Sequence, residues 1–227
     1  RETPELVKIC MESVETNANG YTLIRLNDSN IKEYIDLPDF IYRKDIGKAH
    51  FADVLRLALL ASYGGIWLDA TVFLSGAIPQ EMASYPVFMY QRDSNAEHKD
   101  YWQNTWAYYF GWHRNFKVNV LNSIIVAQKG NKSIVKLCDL LLNYWKENDQ
   151  LPDYFFFQII YHQLKEKGLI EDIPTISDCI PHMLQQKINT GYPFRTAEAI
   201  LNATPIHKLT YKYEGSTERL KSLIDGR

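Results

Sequence analysis

The sequence is short of cysteine, of long apolar runs and of net charge, and each shortage removes a class of function. Cys10, Cys138 and Cys179 are its three cysteines in 227 residues. They lie far apart without a CxxC, so a reducing compartment fits better than a disulfide framework or a zinc knot. The richest apolar stretch, from Val54 onward, is broken by Arg56, Gly64, Gly65 and Asp69, which leaves no run of membrane-spanning length. Lys and Arg total 25 against 27 Asp and Glu, a net charge of −2. That balance argues against a strongly basic nucleic-acid surface. Repeats, low-complexity tracts and a convincing linker are missing too, so one domain over residues 1–227 is expected, in the cytoplasm. The chain opens on Arg1 without an initiator methionine, directly before a helix start, and is expected to lack its native N-terminus.

What is present alternates between helix and strand signals. Thr3 and Pro4 read as an N-cap and a first-turn proline, opening a helix to about residue 16. Asn19-Gly20 marks a turn, and residues 21–26 (YTLIRL) read as a strand. A short helical turn follows near residues 31–34, then an irregular stretch from Pro38 to Gly47. A second strong helix covers about residues 49–62, with Phe51, Val54, Leu55, Ala58 and Leu59 as its apolar stripe. Gly64-Gly65 ends it, and Ile66 to Leu68 form an apolar strand that stops at Asp69. Strands are expected over 86–91 and, interrupted by Asn122-Ser123, over 120–128. Helices are expected over about 134–145 and 152–164, then a loop-rich tail, then a strand over 206–213. This alternation predicts an α/β sheet with ligands outside the carboxyl ends of its strands.

Two groups of residues stand out chemically. Asp53 and Arg56 are three apart on the second helix and therefore neighbours on its surface. Leu57 and Leu60 share their face, and an unpaired charge is costly to bury there. The pair reads as a structural ion pair or as a pair facing a polar ligand; spacing alone leaves both open. Asp69 follows a strand without polar alternation and precedes the small Ala70, a position where an acid can meet a cation or ribose hydroxyls.

The block Asp53-Val-Leu-Arg56 followed by Tyr63-Gly-Gly-Ile-Trp-Leu-Asp69 resembles the signature of the DXD-containing sugar transferases, and most of all their capsular polysaccharide synthesis branch. The resemblance runs from the Pro4-Glu5-Leu6-Val7 helix to His207-Lys208-Leu209. It implies a GT-A type, Rossmann-like nucleotide-sugar fold, here without its first N-terminal strand. It also implies transfer of a sugar from a nucleotide diphosphate donor, UDP-linked, with retention at the anomeric carbon. By position, Asp53 and Arg56 match the residues that contact the donor's sugar and ribose. Gly65 and Ala70 border that site, and Asp69 matches the first acid of the DXD. The second acid, ordinarily a direct metal ligand, is matched by Thr71.

The resemblance thus implies a divalent cation, Mn²⁺ or Mg²⁺, with Asp69, Thr71 and His207 as ligands. Yet a neutral hydroxyl is a weaker ligand for a hard cation than a carboxylate. A diphosphate leaving group needs positive charge or donors from some source, and His207, Lys208 and Lys212 match the segment that closes over it. On the acceptor side, the aromatics of residues 101–116 read mainly as core. Trp112 and His113 are the more exposed pair. Asn122 interrupts an apolar strand, and Asp153 opens a helix, where an acid also compensates the helix dipole. The acceptor expected is a saccharide or lipid-linked saccharide, with peripheral association at the inner membrane face. A haloacid-type phosphotransferase fails because its second acid is absent at Thr71. A non-catalytic carbohydrate-binding or scaffold domain on the same fold is the alternative.

Overall fold

The glycine pair is the hinge of the local architecture. In the computed structural model, which describes residues 2–43 and 45–225, α4 (Lys48–Tyr63) ends on Gly64 at φ 71, ψ −161. That conformation is essentially reserved for glycine. A Cβ on Gly64 would meet the backbone at Lys129 N (2.5 Å) and Ala127 O (3.0 Å). Gly65 also has positive φ, but open space around it. The chain then enters β1 (Gly65–Leu68) directly.

The chain divides into two compact units, one made of residues up to 23, 68–80 and from 177 onward, the other of residues 24–67 and 81–176. The first unit holds α1 (Glu5–Thr16), β2 (Val72–Leu74), α9 (Cys179–Thr190), α10 (Ala197–Ala203), β5 (Ile206–Lys208) and α11 (Ser216–Asp225). β2 and β5 pair antiparallel with Val72 opposite Lys208, Phe73 opposite His207 and Leu74 opposite Ile206. The end of α1 is fastened to this ladder. Leu74 N donates to Ser13 Oγ (2.9 Å) and Asn17 Nδ2 donates to Leu74 O (3.1 Å), so the backbone polar groups of Leu74 are satisfied by side chains at the end of α1.

The second unit holds α2 (Ile31–Tyr34), α3 (Asp39–Arg43), α4, α5 (Gln80–Ser84, which begins at the boundary), β3 (Val87–Phe88), α6 (Lys99–Thr105), β4 (Ile124–Ala127), α7 (Lys132–Glu147) and α8 (Phe156–Glu166). β1, β4 and β3 form a three-stranded sheet in that order. β3 and β4 are antiparallel, with Val87 opposite Ala127. Helix α7 starts because Asn131 Oδ1 accepts from Ser133 N and Ile134 N, the usual N-cap arrangement. Its stripe of Ile134, Leu137, Cys138, Leu141 and Trp145 then packs into one core with Val54, Leu57 and Ile125.

The architecture is therefore mixed α/β with small antiparallel sheets. Most expected elements exist, with shifted ends: Pro4 is the N-cap of α1 rather than its first residue, because its ψ of 141° is extended. The strand expected over 206–213 is confined to Ile206–Lys208, while β2, α5 and α6 occupy stretches where no element was expected. Three further regions differ. Residues 21–26 form no named strand and expose Tyr21, Leu23 and Ile24; alternation supplies propensity, but a strand exists only with a paired neighbour. The stretch from Pro38 to Gly47 contains α3. The tail after residue 173, expected to be loop-rich, carries α9, α10 and α11. Helix α9 is buried almost all round, including His182, Gln185 and Gln186, so it has no polar face to give a periodic signal.

Gly64→Ala should lower unfolding free energy by more than about 2 kcal/mol, from forbidden backbone plus a clash with other backbone. Gly65→Ala, with strain alone, should cost about 1–2 kcal/mol; urea midpoints at unchanged m-value check the order. All three cysteines are buried thiols outside any disulfide. Burial pushes the Cys10 thiol up to about 12, although Lys208 pulls the other way, and burial with Asp139 pushes Cys138 up to about 11. Because the thiolate is the reactive form, Ellman's reagent should be consumed only after unfolding.

Candidate functional site

Helix α4 buries both of its charged candidates. Asp53 is 8% exposed and Arg56 4%, while Leu57 and Leu60 around them are sealed. A guanidinium keeps its charge at any physiological pH, so burial obliges it to find partners. Arg56 Nε donates to Ala52 O (3.0 Å), Nη1 donates to Asn122 O, and Nη2 lies 3.5 Å from Asp53 Oδ1. Trp67 of β1 lies against the cation at 5.4 Å from its ring centre, a favourable cation–π distance. Asn122 closes the circuit by donating from Nδ2 to Asp53 Oδ1 (2.8 Å). The second carboxylate oxygen, Oδ2, lies 3.7 Å from His50 Nδ1, and the His50 ring meets exposed Tyr154 edge-on at 5.4 Å. The second unit thus brings together Asp53, Arg56 and Asn122, three of the residues expected from sequence.

The first unit gathers a different group. Asp69, Ala70 and Thr71 form the turn between β1 and β2, closed by Val72 N donating to Asp69 O (2.9 Å). Leu209 N, just beyond β5, donates to Thr71 O (2.9 Å), holding the turn against the end of that strand. Lys208 Nζ donates to Thr71 Oγ1 and to Leu209 O (3.1 Å). His207, one residue earlier, is fully buried, with Nε2 2.9 Å from Ser75 Oγ. Lys212 is exposed.

These positions bear on the implied divalent cation. The Thr71 hydroxyl already accepts from an ammonium group, and His207 is buried beside Ser75. Asp69 is the only carboxylate in the turn. Among the described residues, no three His, Cys, Asp or Glu side chains gather closely enough to hold a metal ion. A hard cation seeks several oxygen ligands, preferably anionic, so these side chains do not form a metal cage on their own.

Of the remaining candidates, Gly65 opens β1 and leaves room for an approach. Asp153 turns its Oδ1 to Phe155 N (2.7 Å), a local turn leading into α8. Trp112 and His113 line a cleft in the second unit. Arg92, which carried no signal in the sequence, organises that region. Its Nη1 donates to Gly111 O and its Nη2 to Tyr109 O, each at 2.9 Å. The guanidinium lies 4.6–5.6 Å from the ring centres of Tyr109, Phe110, Trp112 and Phe116. Only the density of aromatics from residue 101 onward hinted at such a centre.

Asp53→Ala should destabilise the protein by about 3 kcal/mol, because it leaves the Arg56 charge buried with one partner fewer. The double change Asp53→Ala/Arg56→Met should recover much of that loss. A double-mutant cycle by chemical denaturation reads the coupling.

Two comparisons are negative: neither a curated protein nor a solved structure matches the chain. A family model described as capsular polysaccharide synthesis protein matches residues 1–226. Over nearly its whole length, the chain belongs to the capsular polysaccharide synthesis protein family.

Proposed function

We propose that the chain is a glycosyltransferase of capsule assembly. It moves a sugar from a nucleoside diphosphate donor, UDP-linked, to a saccharide or lipid-linked saccharide, with retention, on a GT-A type nucleotide-sugar fold. Membership of a capsule-synthesis family supports a biosynthetic, transferase role. One observation carries the chemical reading: a lysine ammonium is held on Thr71, within the turn that begins at Asp69.

In such a transfer the bond from the anomeric carbon to the diphosphate breaks, and its electron pair leaves with the phosphate oxygen. An acceptor hydroxyl forms the new bond and gives its proton to that departing oxygen. The negative charge that develops on the diphosphate must be met by preorganised positive charge or donors. Lys208 is the group we assign to this task, with Lys212 as a second, exposed cation. Asp69 takes ribose hydroxyls. Asp53 and the Asn122 amide present hydrogen-bonding groups to the donor's sugar, and Arg56 is a positioning residue whose engaged guanidinium holds both in place. On the acceptor side stand Trp112 and His113, with Asp153 shaping the start of α8. Lipid-linked acceptors would bring the enzyme to the inner membrane face; among the described residues no helix is long and apolar enough to cross a membrane.

A non-catalytic carbohydrate-binding domain is the second reading, favoured by how completely Asp53, Arg56 and Asn122 satisfy one another. Nucleotide release from a panel of sugar nucleotides separates the two. The transferase reading expects release that falls roughly 100-fold or more in Asp69→Ala and in Lys208→Ala, the scale of losing one preorganised stabilising group. Release should persist in chelator, and donor binding by calorimetry should be unchanged by it. A folded protein that binds no donor would establish the second reading instead.

A further inference from the structure

The second unit contains a cleft of about 470 Å³, within the range of small-ligand sites, roughly 300–1,000 Å³. Three separate stretches of chain line it: residues 91–94, 111–119 and 161–175. Trp112 and Phe116 contribute flat apolar surface, stiffened by Arg92 against both rings. Asn119, Glu166 and Asp172 contribute amide and carboxylate groups.

The charged groups of the cleft mostly balance one another. Lys165 Nζ donates to Gln91 Oε1 (2.8 Å) and lies 3.7 Å from Asp172. Glu166 lies 3.2 Å from both His162 Nε2 and Lys117 Nζ. Asn119 Nδ2 lies 3.1 Å from His162 Nδ1. Such a lining offers hydrogen bonds and aromatic faces, with Arg92, Arg114 and Lys165 set against Glu166 and Asp172.

Tyr161 is the feature that asks for a ligand. It is 3% exposed and lines the cleft, and its hydroxyl has no hydrogen-bond partner. Burial, aided by Asp172, pushes its ionisation upward, so the group remains a donor at any working pH. A buried hydroxyl left unmatched costs about 1–3 kcal/mol, and such exceptions call for an explanation.

We propose that this cleft is a saccharide-binding subsite that holds part of the acceptor glycan, with Tyr161 donating to a sugar oxygen and Trp112 packing against a ring face. The assignment rests on the transferase reading above. Chain geometry links the two regions: Asn119 lines the cleft and Asn122 bonds Asp53, and three residues span no more than about 11 Å. A short oligosaccharide held at Asn119 therefore has its neighbouring units within reach of the Asp53–Asn122 cluster.

A printed panel of di- to tetrasaccharides built from hexoses, N-acetylhexosamines and hexuronic acids, probed with labelled full chain, tests this. Wild type should bind at least one of them. Tyr161→Phe should weaken that binding roughly 3- to 10-fold, the scale of one hydrogen bond, while leaving melting temperature unchanged or raised, since it deletes an unmatched group. Trp112→Ala should weaken it on the order of tenfold or more. Binding unmoved by Tyr161→Phe, or no binding by the folded wild type, overturns the assignment. Nucleotide release measured in parallel keeps the two ideas apart. Release without saccharide binding removes the subsite alone, whereas saccharide binding sensitive to Tyr161 without donor use removes the transferase reading alone.

Discussion

The second unit depends on where the charge of Arg56 goes. A guanidinium cannot shed its proton to escape an apolar interior, so its N–H groups must be matched or the fold pays several kcal/mol. Three groups supply the match: the Ala52 carbonyl in the preceding turn of α4, the Asn122 carbonyl before β4, and the Asp53 carboxylate, also on α4. Trp67 of β1 adds its π face. The first half of α4, the entry to β4 and one strand beside it are therefore held by one cation. Asn122 is the tightest link, since its carbonyl takes the cation while its side-chain amide serves the carboxylate.

Arg92 solves the same problem by other means. Its donors go to backbone carbonyls of residues 109 and 111, and aromatic faces lie around its charge. This accounts for the aromatic density after residue 101 better than a plain core does. Trp102, Tyr109 and Phe110 are indeed buried, but Tyr108 is exposed and Trp112 half-buried. Gly111 fits the same arrangement: a Cβ there would meet the Phe116 ring at 2.5 Å, so the wrap around Arg92 closes only without a side chain at that point.

Local signals were legible in the sequence and composite ones were not. The helix before Gly64-Gly65, the strand after it and the break at Asn122 all follow from a few adjacent residues, and the structure has each. The three-residue spacing of Asp53 and Arg56 placed them together correctly, but left open whether they were matched by protein or by ligand. Spacing carries no information about Asn122 O, which lies 66 residues from Arg56. Helix α9 failed for a different reason. A helix enclosed on all sides needs no apolar stripe, and its Gln and His residues look like loop. The cleft was illegible because Gln91, Asn119 and Tyr161 mean nothing together until three distant stretches converge.

The register of β2 against β5 decides which residue of the His207-Lys208 pair meets the Asp69 turn. Side chains alternate across a strand, so neighbours face opposite ways. With Val72 opposite Lys208 and Phe73 opposite His207, the lysine reaches Thr71 while the histidine goes inward, 6.0 Å from Phe73 by ring centres and bonded to Ser75. A slip of one residue would exchange them. That exchange would bury an ammonium group and present an imidazole to Thr71, an arrangement far costlier than the one observed. Burial of His207 thus fixes the register, and the register delivers the cation. Threonine at position 71 suits this geometry, because one ammonium needs only a hydroxyl and a carbonyl to hold it, and Thr71 Oγ1 and Leu209 O supply them.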